Sequence, residues 1–155
     1  MNWFKLLQEK NACQEGMEFA KQYDTFEEMW NNIPRGDWML WWAKKVGVDL
    51  RTLTLAKALC AKTVIHLIKD ERSIKAVEVA EAFGRGNATR EELDAAATDA
   101  YAAATDAYAA DAAYAYTYAA SVAAKKANQL ETSRICREIL TDEVLRLTNK
   151  LLEEE

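Results

Sequence analysis

From Thr89 to Asn128 the chain carries neither glycine nor proline, and much of the stretch is alanine. At its centre TDAYAAATDAYAAD, residues 98–111, repeats TDAYAA at a seven-residue spacing, with one tyrosine and one aspartate in each repeat. Alanine is the strongest helix former and the poorest filler of a core. The segment is therefore helical, and its stability comes from propensity and from letting a neighbouring backbone approach to about 8 Å. Each tyrosine adds a flat apolar ring where more area is needed. This pattern predicts a close-packed helix, or a helix pair, laid against the part of the chain that holds the large hydrophobes.

A single continuous helix here would be about 58 Å long at about 1.5 Å per residue. A compact chain of this size is roughly 40 Å across, so the helix must protrude or break. At helical period Leu93, Ala97, Tyr101, Ala104 and Tyr108 share one side, and Glu92, Asp99 and Asp106 share the other. Asp111 falls on the tyrosine side, and Tyr114, Tyr116 and Tyr118 leave the register. The simplest expectation is a break near residue 110, with Asp111 capping a following helix.

The rest of the chain also reads as helix, so the fold class is all-α: a compact multi-helix bundle in one domain. The single proline is Pro34, and all five glycines lie before residue 87. The large hydrophobes gather in Trp30, Trp38, Trp41, Trp42 and the run from Val46 to Ile68. Asn2 caps a first helix, and a second segment runs through Met17, Phe19 and Ala20. Thr25 with Glu28 forms a capping box that opens TFEEMWNN, which Pro34 and Gly36 end. Asp37 is expected to cap WMLWWAKKV, with Gly47 closing it. Asp49 is expected to cap one long helix, LRTLTLAKALCAKTVIHLIKD, striped by Leu53, Ala56, Cys60, Val64 and Leu67. A helix over Ser73–Phe83 follows, and a second capping box, Thr89 with Glu92, launches the alanine segment. Beyond Asn128, SRICREIL and TDEVLRLTNKLLEEE read as two amphipathic helices, the second capped by Thr141 or Asp142.

Charge and chemistry narrow the function. A net charge of −5 argues against a nucleic-acid partner, which needs a clustered basic surface. No apolar run approaches the roughly 20 residues of a membrane span, and the N-terminus is too short and charged for a secretion signal. Cys13, Cys60 and Cys136 are widely separated and show no CxxC spacing, which points to reduced thiols in a cytosolic protein. His66 is the only histidine; without companion ligands it is expected to be a buried or half-buried structural residue, with Asp70 in reach of its ring. No nucleophile–base set and no phosphate loop occur. The expectation is a non-enzyme without cofactor or metal. Trp38, Trp41 and Trp42, at i, i+3 and i+4, read as one core-facing helix face rather than a ligand box.

The stretch RGDWMLWWAKKVGVDLRTLTLAKALCAKTVIHLIKDERSIKAVEVAEAFGRGNATREELDAAA resembles the immunity proteins of bacterial polymorphic toxin systems, in particular the type with an alanine-rich C-terminal half. The features that carry the likeness are Trp38–Trp42, the DLRTLTLA helix with Cys60, the mixed-charge connector Lys69–Lys75, the helix end at Ala76–Gly84, and the EELDAAA entry into the alanine tract. They span roughly Phe26–Cys136. The resemblance implies a cytoplasmic protein that binds and blocks a cognate toxin, and it carries over no particular binding residues. On the residues themselves, Glu92, Asp99 and Asp106 form the acidic face for a basic toxin, and Tyr116 and Tyr118 are candidate aromatic anchors. The alternatives are a self-associating structural or assembly protein, which would make the chain a homo-oligomer, and a phage-type inhibitor of a host defence enzyme.

Overall fold

A computed structural model describes residues 2–110 and 118–154, with side chains 103–127 left aside. Among the described residues every element is helical, as the glycine and proline distribution requires. In order they are α1 (Trp3–Glu9), α2 (Gln14–Ala20), α3 (Phe26–Asn32), α4 (Gly36–Val46), α5 (Leu50–Lys62), a 3₁₀ turn (Ile65–Leu67), α6 (Glu71–Gly84), α7 (Arg90–Ala110) and α8 (Tyr118–Glu153).

Local chemistry accounts for most boundaries. Asn2 accepts from the Phe4 amide, and Asp49 from that of Thr52. Both capping boxes close: Thr25 with Glu28, and Thr89 with Glu92, whose carboxylate accepts from the Thr89 amide at 2.7 Å. Three helices end on a left-handed residue, Asn11 (φ 63°), Gly47 (φ 89°) and Gly86 (φ 83°). At each, the last carbonyls accept a nested pair of amides, as in Val48 N–H to Ala43 O with Gly47 N–H to Lys44 O. Asparagine serves at the first of these positions because it tolerates the conformation better than any branched side chain.

Three expected boundaries move. Asp37 does not cap α4: the helix begins at Gly36, two residues before the expected Trp38, and Asp37 sits in its first turn, where a carboxylate meets the positive end of the helix dipole. The α5 helix stops at Lys62 instead of running to Asp70. There the β-branched run Thr63–Val64–Ile65 begins, and the Thr63 hydroxyl donates to Cys60 O at 2.6 Å, competing with the helical ladder. His66 is consequently exposed on the 3₁₀ turn rather than buried, and Leu67 is 67% exposed. Asp70 caps α6 and pairs with Arg72, so it is engaged away from the imidazole. Finally, no helix ends at Asn128 or restarts at Thr141. The α8 helix runs through both, and Thr141 turns its hydroxyl back to Arg137 O at 2.6 Å. The predicted break near residue 110, with Asp111 as a cap, falls at residues outside those described.

Packing is built on α8, whose 36 residues span about 54 Å. Ser133, Cys136, Leu140, Val144 and Thr148 form its fully buried stripe. Against this stripe lie α4 and α5, with α3 touching it as well; α6 packs on α5, and α7 packs on α6. The alanine helix α7 is thus an outer layer, laid on α6 at the edge of the bundle. Its inward line over the described side chains is Leu93, Ala96 and Ala100, which leaves Ala97 exposed and Tyr101 78% exposed rather than buried. The core proper joins Trp30, Met39, Trp42 and Phe26 to Leu140 and Val144. Its two buried indoles are each satisfied by a threonine of α8: Trp30 Nε1 donates to Thr141 Oγ1 at 2.9 Å and Trp42 Nε1 to Thr148 Oγ1 at 3.1 Å.

Candidate functional site

The short helices α1 and α2 do not close fully over α3 and α4. Between them lies an open cleft of about 270 Å³. Its walls are Leu7, Phe19, Met29 and Ile33, and its floor is the indole face of α4, from Trp38, Trp41 and Trp42. Asn11, Ala12, Cys13 and Gly16 form the lip on the α1–α2 side, and Asp37 supplies a carboxylate on the other. The helical spacing of the tryptophans explains the division of labour. Trp42 points into the core at 2% exposure, while Trp38 and Trp41, on the flank of the same face, are only half-buried. The expectation of a core face is correct for Trp42 and incomplete for the other two.

An ion cluster fixes one edge of the cleft. Arg35 reaches Asp37 through Nε and Nη2 (3.1 and 2.7 Å) and Glu15 through Nη1 (3.0 Å), so that one guanidinium ties α2 to the start of α4. Its plane lies over the Trp38 ring at 4.6 Å, and Lys45 lies over Trp41 at 5.7 Å. The Arg35 fork holds the Asp37 carboxyl below the usual carboxylate range, and Asp37 in turn raises Arg35. With two carboxylates on one guanidinium, the edge keeps an excess of negative charge. Chemically the cleft is a socket for an apolar or aromatic group with a cationic neighbour. Just below the roughly 300–1,000 Å³ of cofactor pockets, it is sized for a side chain.

Of the residues singled out in the sequence for partner contact, only Glu92 and Asp99 have described side chains. Glu92 and Asp99 are exposed on α7, but the Glu92 carboxylate is already engaged as half of a capping box. The side chains of Asp106 and Tyr118 and the whole of Tyr116 fall outside the described residues. The described part of α7 packs on α6, whereas the cleft is lined by residues of α1–α4 and the segment that joins α1 to α2. Among the described residues no group of three or more metal-ligating side chains occurs, and no helix is long and apolar enough to cross a membrane. The signal that marks the cleft in sequence was the doublet Trp41–Trp42 beside Trp38, three indoles spread over more of the helix surface than the core covers.

An all-α protein with an open aromatic cleft is the class that fold and site define. No protein-family model matches the chain, and neither a curated protein nor a solved structure does.

Proposed function

We propose that this chain is a helical binding protein that blocks a protein partner by occlusion, the partner being a cognate bacterial toxin, as the resemblance implies. The observation that carries the binding reading is the cleft, where Trp38 and Trp41 stay half-exposed around an apolar hollow. Aromatic side chains in a partly desolvated hollow are the commonest energetic centres of protein interfaces. The occupant that fits is an apolar side chain of a basic protein: the chain carries a net charge of −5, and the Glu15–Arg35–Asp37 edge has one more carboxylate than cation. Complementary charge would speed the encounter and select the partner, and the cleft would set the lifetime of the complex.

The test is co-expression with the toxin encoded beside the gene. Rescue of growth by the wild-type chain is expected, and Trp38→Ala with Trp41→Ala should abolish it while the helical circular dichroism spectrum persists. A wild-type chain that gives no rescue and does not bind the purified toxin refutes the toxin reading. Full rescue by the folded double variant would move the contact surface elsewhere, and Asp99→Lys with Asp106→Lys on α7 then tests the acidic face.

A further inference from the structure

The sequence separates its cysteines widely, yet the fold brings two of them into contact. Cys60 Sγ on α5 and Cys136 Sγ on α8 are 3.8 Å apart. Their surroundings differ. Cys136 is fully buried at 0% exposure, with Gly36 O within 3.7 Å of its sulfur, where α4 presses so closely on α8 that a Cβ on Gly36 would overlap Thr132. Cys60 is half-buried near the end of α5, with Thr132 O at 3.8 Å.

We infer that Cys60 and Cys136 are a peroxide-oxidisable pair, in which solvent-reachable Cys60 takes the first oxidation and buried Cys136 resolves it into a disulfide between α5 and α8. The chemistry follows from the asymmetry of the two thiols. The Cys136 thiol can donate to Cys60 sulfur, which lowers the Cys60 pKa; the same bond and burial raise that of Cys136. Of the charged groups nearby, the Glu131 carboxylate disfavours the Cys60 thiolate but is itself paired with Arg134, while Asp37 and Arg137 act on Cys136 in opposite senses. Half-buried Cys60, the more accessible sulfur, is therefore the member of the pair that ionises more readily.

In the first step the Cys60 thiolate attacks one oxygen of hydrogen peroxide, the O–O bond breaks, and the departing hydroxide takes a proton to become water, leaving Cys60 as a sulfenic acid. In the second, Cys136 sulfur attacks Cys60 sulfur, the S–O bond breaks, and the hydroxyl leaves with the Cys136 proton as a second water. Two thiols are oxidised and one peroxide is reduced to two waters. The sulfurs close by about 1.8 Å from their 3.8 Å contact to reach a bond of about 2.05 Å. The product staples α5 to α8 around all of α6 and α7.

The experiment uses the full chain with the exposed Cys13 replaced, Cys13→Ser, treated with hydrogen peroxide and mapped by peptide mass spectrometry. The expected product is a single intramolecular Cys60–Cys136 disulfide that dithiothreitol reverses. With Cys136→Ser added, dimedone should trap a sulfenic acid at Cys60. With Cys60→Ser added instead, labelling of Cys136 should be slower by at least about tenfold, in keeping with a buried thiol of raised pKa. Two unreacted thiols in the Cys13→Ser protein, disulfides only between chains, or equal labelling at the two positions would each overturn the assignment; the first two measurements need no substitution in the pair itself.

Discussion

At the scale of single residues, the fold depends on polar atoms meeting partners far away in sequence. Trp42 is the clearest instance: its indole N–H lies in the core, and the one hydroxyl it reaches belongs to Thr148, 106 residues on and itself 0% exposed. Thr148→Val keeps the volume and removes the acceptor, so it should destabilise by about 1–3 kcal/mol, the cost of an unsatisfied buried donor. Chemical denaturation checks this, and Thr148→Ser, which keeps the hydroxyl, should recover part of the loss. The Asp37 pair makes a pH-dependent contribution of definite sign. Arg35 depresses the folded-state pKa of Asp37 below its unfolded value, so the stabilisation is fully present above the ordinary carboxylate pKa of about 4 and disappears as pH falls through the folded value. The stability difference between wild type and Asp37→Asn should therefore be widest near neutrality and shrink towards zero in acid; a constant difference from pH 7 to pH 2 would refute the pairing. Local devices of this kind, the two capping boxes and the Gly47 stop, were legible because each is written within four residues. The tryptophan–threonine bonds and the Cys60–Cys136 contact were not, since both members of each pair are unremarkable until α8 is laid beside α4 and α5.

At the scale of helices, close approach decides geometry, and glycine permits it in two places. A Cβ on Gly84 would lie 2.6–2.9 Å from Leu55 Cβ, Cα and N, so α6 rests on the backbone of α5. Arg51 reinforces the same seam by stacking on Phe83 at 4.3 Å and donating to the Phe83 carbonyl. Gly84→Ala should gain about 1 kcal/mol of helix propensity but lose more than that to overpacking, typically about 1–3 kcal/mol, because the obstacle is backbone and cannot rotate away. Gly16→Ala is the control: its Cβ would meet only Cys13 Sγ at 3.4 Å, so the propensity gain should stand and the melting temperature should hold or rise. Helix existence was legible from periodicity, whereas helix length was not. Thr141 resembles a cap in sequence, yet its hydroxyl bonds backwards to Arg137 and receives Trp30, and the helix passes through it. Conversely, the apolar stripe from Leu53 to Leu67 favours one long helix, and the three β-branched residues after Lys62 outweigh it.

At the scale of the whole molecule the helices form a stack with a direction: α3, α4 and α8 hold the large buried side chains, α5 leans on α8, α6 on α5, and α7 on α6. Apolar burial falls along the same path. Leu53, Ala56 and Ala58 are buried on α5, Phe83 on α6, and Ala96 on the described part of α7. Each outer layer therefore has less to lose by detaching and can open without disturbing the layer beneath, which is the condition for sub-global unfolding. Alanine sharpens the gradient, because a helix whose contact face is mostly methyl groups buries little area per turn although it forms readily. Native-state hydrogen exchange should show this order directly, with protection highest in α4 and residues 133–148 of α8, lower in α5, lower again in α6, and least over residues 90–102 of α7. Oxidation of the Cys60–Cys136 pair should raise protection in α5 and leave α7 nearly unchanged, since the staple joins α5 to α8 and adds no link to α7. Protection in α7 equal to that in α4 would mean that the outer layer is held by contacts other than its seam with α6. The layered order would then no longer describe how this protein is held together.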